Sequence, residues 1–178
     1  AFHKSVRGSS ADGALYWMAR MLVAGCDPKT IARRLLAIAS EDIGNADPRA
    51  LEITLNAWHV YERLGDKEGN RAIAQAAVYC AVAPKSNAVY KAFNQAMAQA
   101  KQSADLDVPK HLCNASSELM QSLDYGKDYH YAHDEPDGIA KGQTYFPDAL
   151  GEQVYYEPTE RGLEIKIKEK LKQIRGLS

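Results

Sequence analysis

Two Asp-Pro pairs, Asp27-Pro28 and Asp47-Pro48, do most to decide what this chain can become. Each sets a side-chain acceptor for free backbone N–H groups beside a residue whose missing donor costs nothing at the first helical position. After the first pair, Ile31, Leu35, Ile38 and Ala39 recur at helical spacing, and Gly44 is a natural stop. The second pair starts a longer helix, 48–64, ended by Gly65-Asp66. Ala50, Ile53, Ala57, Val60 and Leu64 form one stripe of it; Leu51, Leu55 and Trp58 form another. Two stripes predict packing on two sides. No third Asp-Pro start follows, so the pattern is not a solenoid repeat.

Around this pair of helices the same period continues. Residues 11–24 carry Leu15, Met18, Ala19 and Leu22 on one face. Residues 69–83 are lined by Ala72, Ile73, Ala76, Ala77 and Cys80 and are broken by Pro84. Ser86 caps a further helix to about Lys101, with Ala88, Val89, Ala92, Phe93, Ala96 and Ala100 expected inward. Alanine-rich faces let helix axes approach closely, as in a compact bundle or a subunit contact.

After Ser103 the character changes. Residues 104–113 hold a proline-containing turn, and Asn114 is expected to cap a short helix through Leu123. Tyr125, Tyr129, Tyr131, Tyr145, Tyr155 and Tyr156 crowd 124–157, where periodicity is lost. Aromatics at that density argue for order rather than disorder, with rings buried and hydroxyls at the edge. From Thr159 the chain returns to helix, with Leu163, Ile167, Leu171 and Ile174 on one face. Residues 163–168 also alternate like a strand, but the longer periodic match favours helix. The expected fold is all-α: a helical region over 1–103, and an irregular tyrosine-rich wrap plus C-terminal helix over 104–178 in the same domain.

At 178 residues the chain is long enough to bury a real core. No apolar run approaches the ~20 residues of a membrane span, and no signal peptide is visible. The chain opens on Ala1 rather than Met and is expected to be part of a longer, cytoplasmic protein. A formal net charge of −1 gives no global attraction to nucleic acid. Cys26, Cys80 and Cys113, odd in number and widely spaced, fit thiols in a reducing compartment better than a disulfide framework.

Sites for chemistry are sparse. His130, His133, Asp134 and Glu135 offer metal-donor atoms, but Pro136 and the tyrosines argue against a helix aiming both imidazoles at one point. Hydrogen bonding that pins the irregular segment is the expected role. No cysteine, nor Ser40, has a neighbour marking it as an activated nucleophile. Gly8, Gly13, Gly25 and Gly44 form no phosphate loop, so this chain is not expected to hydrolyse ATP. Basic residues gather at Lys4 and Arg7, at Arg33 and Arg34, and at Lys166, Lys168, Lys170, Lys172 and Arg175. A solvated helix face is the plainer reading; a weak phosphate-backbone contact is the sharper one.

Several ordered motifs go beyond physics. They are His3-Lys-Ser-Val-Arg-Gly-Ser9, Ala14-Leu-Tyr-Trp17, Ala39-Ser-Glu-Asp-Ile-Gly-Asn-Ala-Asp-Pro-Arg-Ala50 and Ala83-Pro-Lys-Ser-Asn-Ala88. Asp107-Val-Pro-Lys-His-Leu112, Tyr131-Ala-His-Asp134 and Tyr155-Tyr-Glu-Pro-Thr159 follow. Together they resemble the C-terminal region of the RarA (MgsA) family, AAA+ ATPases related to clamp loaders and to the eukaryotic Werner helicase-interacting protein. The resemblance covers almost the whole chain and implies a helical collar that joins subunits, as a homotetramer, in a protein acting at stalled or damaged replication forks. It implies ATP and Mg in an ATPase core upstream of Ala1, and DNA and single-stranded DNA-binding protein as partners of the whole protein. It carries no catalytic, cofactor or metal residue onto this chain. Ala72, Ala76, Ala88, Ala92 and Ala96 are the candidate oligomer contacts; Arg33, Arg34, Lys166 and Lys170 are the candidate DNA contacts. The alternative function is a module that itself grips DNA or a replication partner.

Overall fold

A computed structural model describes residues 1–176. The chain divides into two compact units: Ala1–Phe93 with Tyr156–Ser178, and Asn94–Tyr155. Among the described residues the regular elements are all helical, as the periodicity predicts. No helix among them is long and apolar enough to cross a membrane.

The first unit opens with α1 (Phe2–Arg7), a six-residue helix that the sequence pattern did not announce. Next come α2 (Ala11–Val23), capped by Ser10, and α3 (Pro28–Ile38), capped by the Asp27 carboxylate on the Lys29 N–H at 2.9 Å. α3 then widens into a π-turn, Ala39–Ile43, closed by the Gly44 N–H on the Ala39 carbonyl. α4 (Arg49–Leu64) starts one residue past the predicted proline, and the Asp47 carboxylate still receives the Arg49 N–H at 3.3 Å. α5 (Asp66–Val82) begins earlier than the expected residue 69, turned out of α4 by Gly65 at φ 71°.

α4 and α5 form the most extensive helix pair. Gly69 makes their approach possible: a Cβ there would sit 2.5 Å from the Tyr61 Cα. The core under this pair is built from Val6, Ile31, Leu35, Ile38, Ile43, Ile73, Ala76, Ala77 and Cys80, all with essentially no exposed surface. Each large aliphatic side chain among them contributes roughly 1.5–3 kcal/mol by burial. Thr54 sits in the same interior because its hydroxyl donates back to the Ala50 carbonyl at 2.9 Å.

α6 (Ala88–Gln102) starts in the first unit and ends in the second. Ser86 caps it, its hydroxyl oxygen accepting the Ala88 N–H at 3.2 Å. Its faces differ from expectation. Ala88 and Ala92 are buried, but Val89 and Phe93 point outward, and Ala100 is exposed. Small side chains let this helix lie close on its alanine side. The larger residues one position on, ~100° around the axis, are thereby turned to solvent. α2 is rotated likewise: Ala14 and Met18 are buried, whereas Leu15 and Ala19 are exposed.

In the second unit, α7 (Glu118–Ser122) is capped by Ser117, whose oxygen accepts the Met120 N–H at 3.2 Å. Asn114 is therefore not the cap; Ser117 stands one turn nearer the first free N–H groups. The irregular chain is pinned by local hydrogen bonds: His111 Nε2 to the Thr144 carbonyl at 2.8 Å, and the His130 N–H to Gln143 Oε1 at 2.7 Å. Tyr125 and Tyr155 are half-buried, but Tyr129, Tyr131 and Tyr145 are about half exposed, so ring burial is only partial.

α8 (Glu164–Ile174) returns to the first unit. Leu163, just before it, and Ile174 stay exposed, Ile167 and Leu171 are half-buried, and the residue α8 buries fully is Glu164. The expected apolar stripe thus only half meets the core, and a carboxylate anchors the helix instead.

Candidate functional site: a polar junction beside unpartnered helix faces

Four of the stretches that carry the resemblance, within 3–9, 39–50, 83–88 and 156–159, converge within the first unit. Asp42, in the π-turn, is the first node. Its carboxylate accepts Arg7 Nε at 2.7 Å and lies 2.8 Å from His3 Nε2, while its carbonyl accepts the Ser86 N–H at 2.8 Å. His3 Nε2 is also 2.9 Å from Arg7 Nη2. A carboxylate has no proton to give, so Nε2 carries the proton toward Asp42 and cannot also accept from Arg7. The hydrogen bond to Asp42, with its charge, raises the Arg7 pKa. π-turns of this kind are frequent at functional sites, because the wider turn redirects side chains.

Asp47 is the second node. It is buried and accepts Arg49 Nε at 2.9 Å, Arg49 Nη2 at 3.1 Å and the Tyr79 hydroxyl at 2.6 Å. Burial opposes its charge, but hydrogen bonds from Arg49 and Tyr79 outweigh that and hold its carboxyl below the usual range. The same bond raises the Tyr79 phenol.

Glu164 is the third. It has no exposed surface, yet it is fully supplied with donors. Oε1 accepts the Tyr156 hydroxyl at 2.9 Å; Oε2 accepts the Thr159 N–H at 2.8 Å and the Thr159 hydroxyl at 2.7 Å. Burial again pushes its pKa up, and hydrogen bonds from Ser86, Thr159 and Tyr156 bring it below the ordinary value. Asn45 Nδ2 donates to the Tyr156 hydroxyl at 3.3 Å, and the Leu163 N–H to the Ala46 carbonyl at 2.8 Å. Gly162 sits at φ 57° between them; a Cβ there would collide with the Ala46 carbonyl oxygen and lie 2.6 Å from Pro84 Cγ. Lys85 completes the junction. Its ammonium donates to the Ala81 and Ala83 carbonyls at 2.8 and 2.6 Å, closing the C-terminus of α5, and to Ser9 Oγ at 3.2 Å.

Four stretches far apart in sequence are thus locked together: 3–9, 42–49, 84–86 and 156–164. The chemistry is that of a clasp. Each of the three carboxylates is engaged by hydrogen-bond donors. Cys80 is buried beneath it, its thiol pushed up to about 11 by desolvation, so it is not a thiolate at neutral pH. The second unit holds an open cleft of about 810 Å³ whose rim includes Asp124, Asp128, Lys127 and His111. His111 is already committed to the Thr144 carbonyl there.

Ala76 is wholly buried inside the monomer and Ala88 and Ala92 are nearly so, while Ala72 and Ala96 are half-buried. The apolar surface left free lies elsewhere. Val89, Tyr90, Phe93 and Met97 on α6 are 38, 48, 64 and 44% exposed. Leu51 and Leu55 of the second stripe on α4 are also exposed, while Trp58 of that stripe packs against the core. On α2, Tyr16 and Trp17 stack edge-on at 5.3 Å, with the Arg20 guanidinium 5.9 and 5.8 Å from their rings. The repeat of Val89, Phe93 and Met97 at four-residue spacing was the available signal for the α6 face. Arg33, Arg34, Lys166 and Lys170 are all exposed; Lys166 lines a cleft of about 520 Å³ with Arg49 and Pro84.

Residues 8–175 match the family described as MgsA AAA+ ATPase C terminal. The chain is 61% identical over 178 residues to the replication-associated recombination protein A of Coxiella burnetii, covering all of this chain and 40% of that protein. It is 62% identical over 175 residues to that of Haemophilus influenzae, covering 98% of this chain and 39% of the relative. Against that of Escherichia coli K12 the identity is 58% over 171 residues, covering 96% and 38%. The chain spans about two fifths of the length of these relatives.

Proposed function

The chain belongs to the MgsA AAA+ ATPase C-terminal family, and from that premise we propose that it is the part that joins subunits of a RarA-like ATPase acting in replication-associated recombination. The observation that carries this is the apolar surface on α2, α4 and α6, where large side chains such as Tyr16, Leu55 and Phe93 are about half exposed or more. Exposed large apolar side chains grouped on a helix face, as Val89, Phe93 and Met97 are on α6, suit an interaction site. The clasp around Asp42, Asp47 and Glu164 serves the role by fixing where α6 and α8 begin, so that their faces are presented at a set angle. In this reading the chain assembles with itself as a tetramer in the cytoplasm. ATP and Mg act in the remaining three fifths of the protein, and DNA and single-stranded DNA-binding protein meet the whole protein.

Fusion to an unrelated monomeric carrier tests sufficiency. The fused carrier should become oligomeric, and the same fusion carrying Phe93→Asp should revert toward monomer with its helicity intact. A carrier that stays monomeric at micromolar concentration rejects the scaffold role. The exposure of Arg33, Arg34, Lys166 and Lys170 favours one second reading, a DNA-gripping module. Salt-dependent binding of an oligonucleotide by this chain alone would select it.

A further inference from the structure

The near-neutral total conceals a strong division of charge. Ala1–Phe93 with Tyr156–Ser178 holds 18 Lys and Arg against 13 Asp and Glu, a formal +5; Asn94–Tyr155 holds four against ten, a formal −6. The basic unit also has a place for an acidic segment. A groove of about 470 Å³ runs between the 157–159 strap and α8, with Pro158 and Leu171 among its apolar lining and Lys168, Lys172 and Arg175 on its rim. Lys168 is already engaged by Glu160 at 2.7 Å, and Arg175 Nη2 donates to the Tyr156 carbonyl at 3.2 Å. Lys172 makes no ion pair among the described residues.

The acidic unit carries a segment of matching chemistry. Asp134, Glu135, Pro136 and Asp137 are consecutive and exposed. Asp137 is paired with Lys141 at 2.7 Å, whereas Asp134 and Glu135 have no ion pair among the described residues. Two free carboxylates followed by a proline ring offer charge for the rim and an apolar body for the floor. A nucleic-acid backbone fits less well, because a phosphate chain has nothing to lay on Pro158 and Leu171, whereas the Pro136 ring can cover them.

We infer that the α8 groove of one copy takes the 134–137 segment of a second copy. This rests on the scaffold reading and adds an electrostatic contact to its apolar faces. Such a contact is either reciprocated across a twofold axis or repeated head to tail, closing in the second case where the rotation per step completes a ring.

Charge reversal tests it on the whole chain, with assembly followed by light scattering. K172E/R175E should raise the concentration for half-assembly about tenfold or more, and D134K/E135K should do the same, because like charges then face each other. A chain carrying all four substitutions should assemble nearly as the native one does. Raising salt from about 50 mM to 500 mM should weaken the native assembly, since exposed charges are screened over that range. An oligomer indifferent to both double variants, or a folded four-fold variant that fails to recover, overturns this contact and leaves the scaffold reading standing. Loss of oligonucleotide binding in K172E/R175E with unchanged mass also overturns it and assigns the groove to phosphate. A native chain that is monomeric removes both.

Discussion

The Arg7 guanidinium reaches the Asp42 carboxylate at 2.7 Å, joining the first helix of the chain to the π-turn that ends the third. The same aspartate takes the Ser86 N–H on its carbonyl, so one residue ties α1, α3 and the start of α6. Asp42→Asn should therefore loosen the clasp, lowering the thermal midpoint while leaving the helical circular dichroism intact. The drop should be smaller than for a substitution at Glu164, because Arg7 is more than half exposed.

Glu164→Ala removes the acceptor of three donors, the Thr159 N–H, the Thr159 hydroxyl and the Tyr156 hydroxyl. Hydrogen bonds to a charged group are worth ~1.5–3 kcal/mol each, and stranding buried donors adds a penalty. A loss of about 4–5 kcal/mol is expected, or roughly 8–20 °C in the midpoint of a chain this size. Glu164→Gln should fall between, since it keeps an oxygen and loses the charge. Calorimetry or a circular dichroism melt reads both.

Gly162→Ala should cost about 1–3 kcal/mol, from the left-handed backbone and from the collision with the Ala46 carbonyl. Protease cleavage near 157–163 should quicken in the variant, because the strap there would lose its seat.

Acid should destabilise the protein through two groups. Asp47 and Glu164 both have folded pKa values below their ordinary ones. Above about pH 5.5 both states are ionised and the full contribution is present; as pH falls through the ordinary carboxylate range, the unfolded chain takes up protons first and stability drops, until the folded groups are protonated too. Glu164→Gln should flatten the acid limb measured by urea titration at several pH values, and an unchanged limb would contradict the assignment.

Thiol chemistry should separate the cysteines. Cys80 is buried with its pKa raised to about 11, while Cys26 and Cys113 are partly accessible. Alkylation of the native chain at mildly alkaline pH should modify Cys26 and Cys113 and spare Cys80 until the chain is denatured, as peptide mass mapping would show.

The helices were legible because their starts and stops are local. Asp27-Pro28, Ser86 and Gly65 act on backbone groups within a turn of themselves, and α2 to α6 and α8 follow. Side-chain direction was less legible. On α6 the alanine stripe and the Val89, Phe93 stripe are adjacent in sequence, and only the packed neighbours decide which goes inside. The π-turn was invisible because its cause is tertiary: Asp42 is held by Arg7 and Ser86 from elsewhere in the chain. Glu164 was missed for the same reason. A glutamate at the head of a lysine-rich helix reads as surface, and its donors lie in a strap whose path no periodicity encodes. The clasp was present only as separate motifs, whose meeting point required the fold.

The molecular mass of the chain in solution, followed by light scattering across micromolar concentrations at moderate salt, tests the scaffold most directly. A scaffold should give a closed oligomer, four copies of the 19.6 kDa chain at about 78 kDa, that Phe93→Asp dissociates without unfolding. A well-folded chain that holds the monomer mass across that range would contradict it.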